Sequence, residues 1–255
     1  MMPDVETKID YPAFPPGFWR RVVLHPANDH IVGAMEDDMH HFHLRIDHAD
    51  GRIVAVRGRA VRHPWTGCAG AALHLASDLK GELLSDVAAR DPFQHCTHLL
   101  DLAIVMAGHA YDTVPTNFDM GVGDRPNDRA TATLAQNGEE RMRWRINGTM
   151  IDGPDRFAGR DLKRVSTWKH EYSAEEAEHA TLLRRAIFVS GARRQKLEKN
   201  RRGVDMQLAR HGVCFNYRSP QLEETISLYE SRDFSNGDQR PLEGFEPERA
   251  FAATT

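Results

Sequence analysis

Between Met39 and Val61 polar and apolar residues alternate with a period of two on either side of a turn-forming stretch. Met39, His41, His43, Arg45 and Asp47 fall on one face and His40, Phe42, Leu44 and Ile46 on the other. Asp47-His48-Ala49-Asp50-Gly51 is rich in turn residues, and Arg52 to Val61 alternates again around Ile53, Ala55 and Val56. Such a pattern buries one side only as a β-hairpin, because successive side chains of a strand point to opposite faces. With Phe18–His25 and His30–Met35, which are rich in β-forming residues, it predicts an N-terminal antiparallel β-meander ending near residue 63.

Helical spacing takes over after Pro64-Trp65-Thr66-Gly67-Cys68. Ala72, Leu75, Ala76 and Leu79 recur at helical intervals, so Cys68–Lys80 is predicted as a helix capped by Thr66 and stopped by Gly81. Leu83–Ala89 is a short helix, and Gln94–Tyr111 a long one. Asn117–Asp128, rich in Gly, Pro and Asp, is read as a loop. Ala130–Gln136 and Arg141–Ile151 flank Asn137-Gly138, the best hairpin turn in the chain, and Ala174–Val189 is helical. The fold class that follows is α+β: a meander packed on helices, with an added hairpin and C-terminal helices. The expected organisation is an extended arm over 1–17, a core over 18–115, a hairpin and helical extension over 116–235, and a loosely ordered tail over 236–255.

The chemistry-bearing side chains are concentrated in Phe93-Gln94-His95-Cys96-Thr97-His98-Leu99-Leu100-Asp101, where a thiol, two imidazoles and a carboxylate crowd together. Cys68 has a matching place at the head of the preceding helix. Thiolate and imidazole both suit zinc or iron, and a helix N-terminus favours an anionic thiolate. Glu36-Asp37-Asp38 adds three adjacent acids whose mutual repulsion a cation would relieve. The expected site is therefore a divalent metal, zinc or iron, held by Asp38, Cys68, Cys96 and His95 or His98. Glu36, His41 and Tyr111 are the candidate acids and bases beside it. Asp101 is a candidate to orient His98, and Arg184 and Arg185 to bind a substrate carboxylate or phenolate, although a salt-bridged helix surface is the simpler reading of the arginines. Cys214 is read as a buried thiol without ligand-rich neighbours.

Composition narrows the classes. A net charge of −4, with 14 histidines uncounted, gives no basic surplus for nucleic acid, and no apolar run reaches membrane-spanning length. Three cysteines cannot make a disulfide framework, and the N-terminal residues lack the basic and apolar segments of a signal peptide, so a cytoplasmic location is expected. Gly121-Val122-Gly123-Asp124 lacks the strand–helix context of a nucleotide-binding loop, and no nucleotide cofactor is expected. A homo-oligomer is compatible with all of this.

The order of pieces in residues 30–112 resembles the U-type iron–sulfur cluster scaffold proteins. Gly67-Cys68-Ala69-Gly70-Ala71 opens one helix and His95-Cys96-Thr97-His98-Leu99 another. On that resemblance Asp38, Cys68, His95 and Cys96 take the metal-binding positions, while Glu36 stands where the family has its first cysteine. The whole chain more specifically resembles a bacterial family of unknown function. Its marks are Glu-Asp-Asp-x-His-His-Phe (36–42), Pro-Trp-x-x-Cys (64–68), Gln-x-Cys-Thr-His-Leu-x-Asp-Leu (94–102) and Leu-Arg-Arg-Ala-x-Phe-Val-Ser (183–190). That second resemblance implies a role in breakdown of lignin-type aromatic compounds. The expected activity is a carbon–carbon lyase step that releases formaldehyde from a small aromatic substrate. The alternative it leaves is a non-catalytic iron–sulfur or metal carrier.

Overall fold

The computed structural model describes residues 16–153, 156–194, 198–206 and 212–251, so most of the expected N-terminal arm lies outside the described residues. Among the described residues one antiparallel sheet of eight strands runs in the order β4-β3-β2-β1-β5-β6-β7-β8. The strands are β1 (Gly17–Pro26), β2 (His30–Asp37), β3 (His41–Ala49), β4 (Arg52–Arg62), β5 (Thr116–Gly123), β6 (Arg129–Gln136), β7 (Glu139–Asn147) and β8 (Met150–Gly153). The helices are α1 (Cys68–Leu79), α2 (Thr97–Gly108), α3 (Val165–Trp168), α4 (Ala174–Ser190), α5 (Gly203–Met206) and α6 (Gln221–Glu224). The α+β class and the N-terminal meander are as the alternation predicts, with each of the first four strands within two or three residues of its expected place.

Two departures matter. Thr116–Gly123 is a strand and not part of a loop: it pairs along its whole length with β1. Phe118, Met120 and Val122 alternate into the core, a period that the interleaved Asn, Asp and Gly mask in composition. An expected boundary at 115/116 therefore falls inside one continuous sheet. The segment expected to be a loose tail is also docked as far as residue 251. Leu242 packs on Val23 and Ala34, and the rings of Phe245 and His43 meet edge to face at 5.0 Å.

Strand parity decides which side chains meet which layer. On β2, Ile31, Met35 and Asp37 share the helix-facing side, while Val32, Ala34 and Glu36 face the C-terminal segment. α1 lies on β4, α2 on β2 and β3, and α4 on β1, β5 and β6. The seat of α1 is shaped by Gly58, where an added Cβ would come within 2.8 Å of Ala72 Cβ. α2 buries Leu99, Leu100, Leu102, Ala103, Val105 and Met106, and each large-to-small change there would cost about 2–5 kcal/mol. The Asn137-Gly138 turn has positive φ at both residues (51° and 83°), as a tight hairpin of this hand requires. Ser173 and Glu176 form a reciprocal capping box that fixes the start of α4.

Candidate functional site

The heads of α1 and α2, the β2–β3 turn, the end of α4 and residues 213–217 enclose a cavity of about 550 Å³. That volume suits a one- or two-ring ligand. Met39, Phe42, Trp65, Phe188, Val189 and Val213 give it apolar walls. Its polar lining comes from His40, His98, Arg185, Arg194, Asn216 and Tyr217, with Cys68, Cys96 and Cys214.

A hydrogen-bonded polar group beside the cavity is built on Asp37. It is the last residue of β2, fully buried, and stands opposite Arg20 in the register of β1. Arg20 donates to Asp37 Oδ2 through Nε (3.0 Å) and Nη2. The backbone N–H groups of Met39 and His40 both donate to Oδ1 at 2.8 Å, closing the tight turn into β3. His40 Nδ1 lies 3.0 Å from the same oxygen. Burial alone would raise the Asp37 carboxyl, but His40 and Arg20 beside it hold it well below the usual carboxylate range. An ionised carboxylate fixes His40 with Nδ1 as the donor and leaves Nε2 as the proton-accepting atom.

His98, in the first turn of α2, stacks on His40 with ring centroids 3.8 Å apart. Burial, then the neighbouring His40 and Arg20, push His98 far below the usual imidazole range, so it is neutral. Its Nε2 is buried without a hydrogen-bond partner among the described residues. One ligand atom from each of Asp37, His40 and His98 lies within 4.8 Å of the others, a possible metal-binding group.

This arrangement departs from the expected one residue by residue. Cys68, Cys96 and His98 do meet at the cavity. His95 does not: α2 begins only after Cys96, so His95 is extended (φ −122°, ψ 166°). It turns to Asp78 (3.3 Å) and the His74 ring. Asp38 is not among the residues lining the cavity that the thiols line; it pairs with Arg193, which also reaches Asp233 and Asp124. Burial pushes its carboxyl up to about 7 against the pull of that arginine.

Glu36 and His41 lie on the other face of the sheet, because each is one residue out of phase with the helix-facing side. Glu36 accepts from the Leu242 N–H (2.6 Å), Arg62 (2.9 Å) and Arg232 (3.5 Å). His41 meets His43 with Nε2 atoms 2.8 Å apart, and burial with Arg62 lowers it to about 4. Tyr111 follows the far end of α2, 65% exposed, against His48. Asp101 grips Arg185 rather than orienting His98. Arg184 donates to the Leu162 carbonyl and lies over the Phe188 ring at 4.7 Å.

The thiols are not the anions that helix N-termini alone would favour. Cys96 is the N-cap of α2 and Cys68 the first residue of α1. Burial nevertheless pushes Cys96 up to about 12, with Cys214 adding to the rise, and raises Cys68 well above the ordinary range for the same reason. Desolvation outweighs the helix ends. Cys214, read from sequence as a buried thiol without ligand-rich neighbours, is partly exposed and joins them at the cavity wall.

The residues that sequence reasoning missed are Asp37, His40 and Asn216. The first two were within reach: Asp37 shares the phase of Ile31 and Met35, and His40 follows it at the spacing of an Asx-type turn. Nothing local marks Asn216. Among the described residues no helix is long and apolar enough to cross a membrane. Compared with known proteins, the chain matches no family model and no curated protein.

Proposed function

We propose that the chain is an enzyme that uses the Asp37–His40 pair as a general base on a small oxygenated aromatic substrate held in the cavity. The reaction that fits is a carbon–carbon lyase step releasing formaldehyde, as in breakdown of lignin-type dimers. The observation that carries this reading is a carboxylate-anchored imidazole opening onto an apolar cavity of about 550 Å³. A base held in one tautomer beside an apolar, ring-sized space is the equipment for abstracting a proton from a neutral organic substrate.

The substrate is a para-hydroxyphenyl compound with a benzylic hydroxyl or ether beside a –CH(R)–CH₂OH group; loss of the phenolic proton and departure of the benzylic oxygen as water or an alcohol give the para-quinone methide on which the step acts. His40 Nε2 takes the proton of the primary alcohol. The bond to the carbinol carbon breaks and that carbon leaves as formaldehyde. The freed electron pair forms an alkene with the benzylic carbon, the ring regains aromaticity as a phenolate, and the proton returns to the phenolate oxygen. Asp37 stabilises the imidazolium formed in between, and Arg20 keeps Asp37 ionised.

A second reading places a divalent ion, zinc or iron, in support of the same chemistry. What favours it is the convergence of Asp37, His40 and His98 and the unpartnered His98 Nε2. The ion would sit with these three rather than between the thiols. Against it, Asp37 already accepts from Arg20, two backbone N–H groups and His40, and Arg20 neutralises its charge. A non-catalytic iron–sulfur carrier has less support, since Glu36 lies on the opposite face of the sheet from the thiols and His95 turns away to Asp78.

The test is formaldehyde release from phenolic diaryl substrates carrying a primary alcohol, with His40→Gln beside the wild type and elemental analysis of both. Release that disappears in His40→Gln supports the base. Release unchanged in that variant, or none from any such substrate, overturns it. Stoichiometric zinc or iron lost on His98→Ala but kept in Cys96→Ala selects the second reading.

A further inference from the structure

The segment Cys214–Tyr217 is pinned in place by two ties to distant parts of the chain. The Phe215 N–H donates to the His95 carbonyl (2.9 Å), and the Trp65 indole N–H donates to the Tyr217 hydroxyl (3.1 Å). Next to it, the Thr225 hydroxyl accepts the Gly67 N–H (3.1 Å). Between these ties sits Asn216, only 3% exposed, on the cavity wall. Neither Nδ2 nor Oδ1 of its amide has a hydrogen-bond partner among the described residues. A buried primary amide with no protein partner is costly unless a ligand or an ordered water at the cavity wall completes it.

Gly67 shows how closely the amide is seated. A Cβ there would lie 2.1 Å from Asn216 Oδ1, yet Gly67 has ordinary right-handed backbone angles (φ −67°, ψ −16°) that any residue adopts. The missing side chain at position 67 therefore makes room for the amide.

The rest of the lining says what the amide would meet. Both lining arginines are already ion-paired, Arg185 with Asp101 and Arg194 with Asp128. His98 is neutral and burial keeps Cys68 and Cys96 protonated. The ligand is therefore neutral and mostly apolar, with one group that both gives and takes a hydrogen bond. A ring carrying a hydroxyl with a neighbouring ether oxygen satisfies Oδ1 and Nδ2 together.

We propose that Asn216 is the specificity residue of the cavity and recognises the phenolic hydroxyl of an ortho-alkoxyphenol. This rests on the aromatic-substrate reading above and adds which end of the substrate is held, and by what.

The probes are 2-methoxyphenol and 1,2-dimethoxybenzene, titrated calorimetrically into the full chain. The wild type should bind the phenol about tenfold tighter than the diether, because a buried group built to pair with a hydroxyl penalises the analogue that lacks the donor. Asn216→Leu should remove that preference, weakening the phenol about tenfold and leaving the diether nearly unchanged. It should also raise the melting temperature, which a merely structural asparagine would not do. Gly67→Ala, which displaces the amide without deleting it, should act in the same direction and carries the test if Asn216→Leu does not fold. Equal weakening of both probes, an unchanged preference in both variants, or no binding to the wild type overturns the proposal. Asn216-dependent preference without any formaldehyde release leaves this inference standing and removes the lyase reading. Release with an Asn216→Leu enzyme unchanged in KM, kcat and probe preference does the reverse.

Discussion

Asp37 Oδ1 lies 3.0 Å from His40 Nδ1 while Arg20 holds the other carboxylate oxygen from the neighbouring strand, so one buried carboxylate serves two side-chain partners. The two partners are not equivalent. Arg20 is permanently charged and only 5% exposed. Asp37→Asn leaves that guanidinium buried without a counter-charge, and is expected to cost about 3–5 kcal/mol in urea unfolding as well as activity. His40→Gln removes one hydrogen bond and is expected to cost about 1 kcal/mol while abolishing turnover. Equal stability losses in the two variants would mean that the carboxylate does not discriminate between its partners in this way.

How far this site could be read in advance turns on single-residue phase. The acidic trio drew notice as a block, yet in a strand only every second member can share a face. Asp37 goes to the helices, and Glu36 goes to the C-terminal segment. The same slip hid His40 and promoted His41. α1 and α4 were legible to within a residue because their apolar spacing is unambiguous over three to four turns. His95 was misplaced because the start of α2 is set by Cys96 acting as N-cap, with Pro92–Gln94 in a separate short turn. Asn216 had no local signature at all. Its place depends on its seat against Gly67, which lies far earlier in the chain.

The thiols should be slow. With Cys96 pushed up to about 12, the thiolate fraction at pH 8 is on the order of 10⁻⁴. Cys68 is raised in the same direction. Brief labelling of the folded protein with a maleimide, mapped by mass spectrometry, should mark the partly exposed Cys214 first and leave Cys68 and Cys96 until denaturant is added. Fast labelling of Cys96 in native protein would show that the helix N-terminus, and not burial, governs that sulfur.

Glu36 should behave as a fastener rather than a catalyst. It joins β2 to the C-terminal segment through the Leu242 N–H and to Arg62 and Arg232. Glu36→Gln keeps the shape but leaves Arg62, 8% exposed, short of its anion, and is expected to cost about 2–4 kcal/mol. Limited proteolysis should then cut beyond Arg232 in the variant and not in the wild type. Binding of 2-methoxyphenol, which takes place on the other face of the sheet, should hold to within about twofold.

His109 offers a pH test that is independent of the cavity. It caps the end of α2, with Nδ1 2.6 Å from Asp112 and Nε2 3.1 Å from Glu178 of α4. The Glu178 hydrogen bond is the main reason its imidazole rises from 6.5 to about 9, against the effect of burial. The folded protein thus binds this proton more tightly than the unfolded chain does. The stabilisation is complete below about pH 6.5 and is lost as pH climbs through 9. Since the ring is only partly shielded from solvent, about 1 kcal/mol is the expected size. Wild-type melting temperature should therefore fall more steeply between pH 7 and 9.5 than that of His109→Gln, whose neutral side chain cannot follow the titration. Parallel curves over that range would mean that the imidazole does not carry its extra proton in the folded state, and that α2 and α4 are joined there by packing alone.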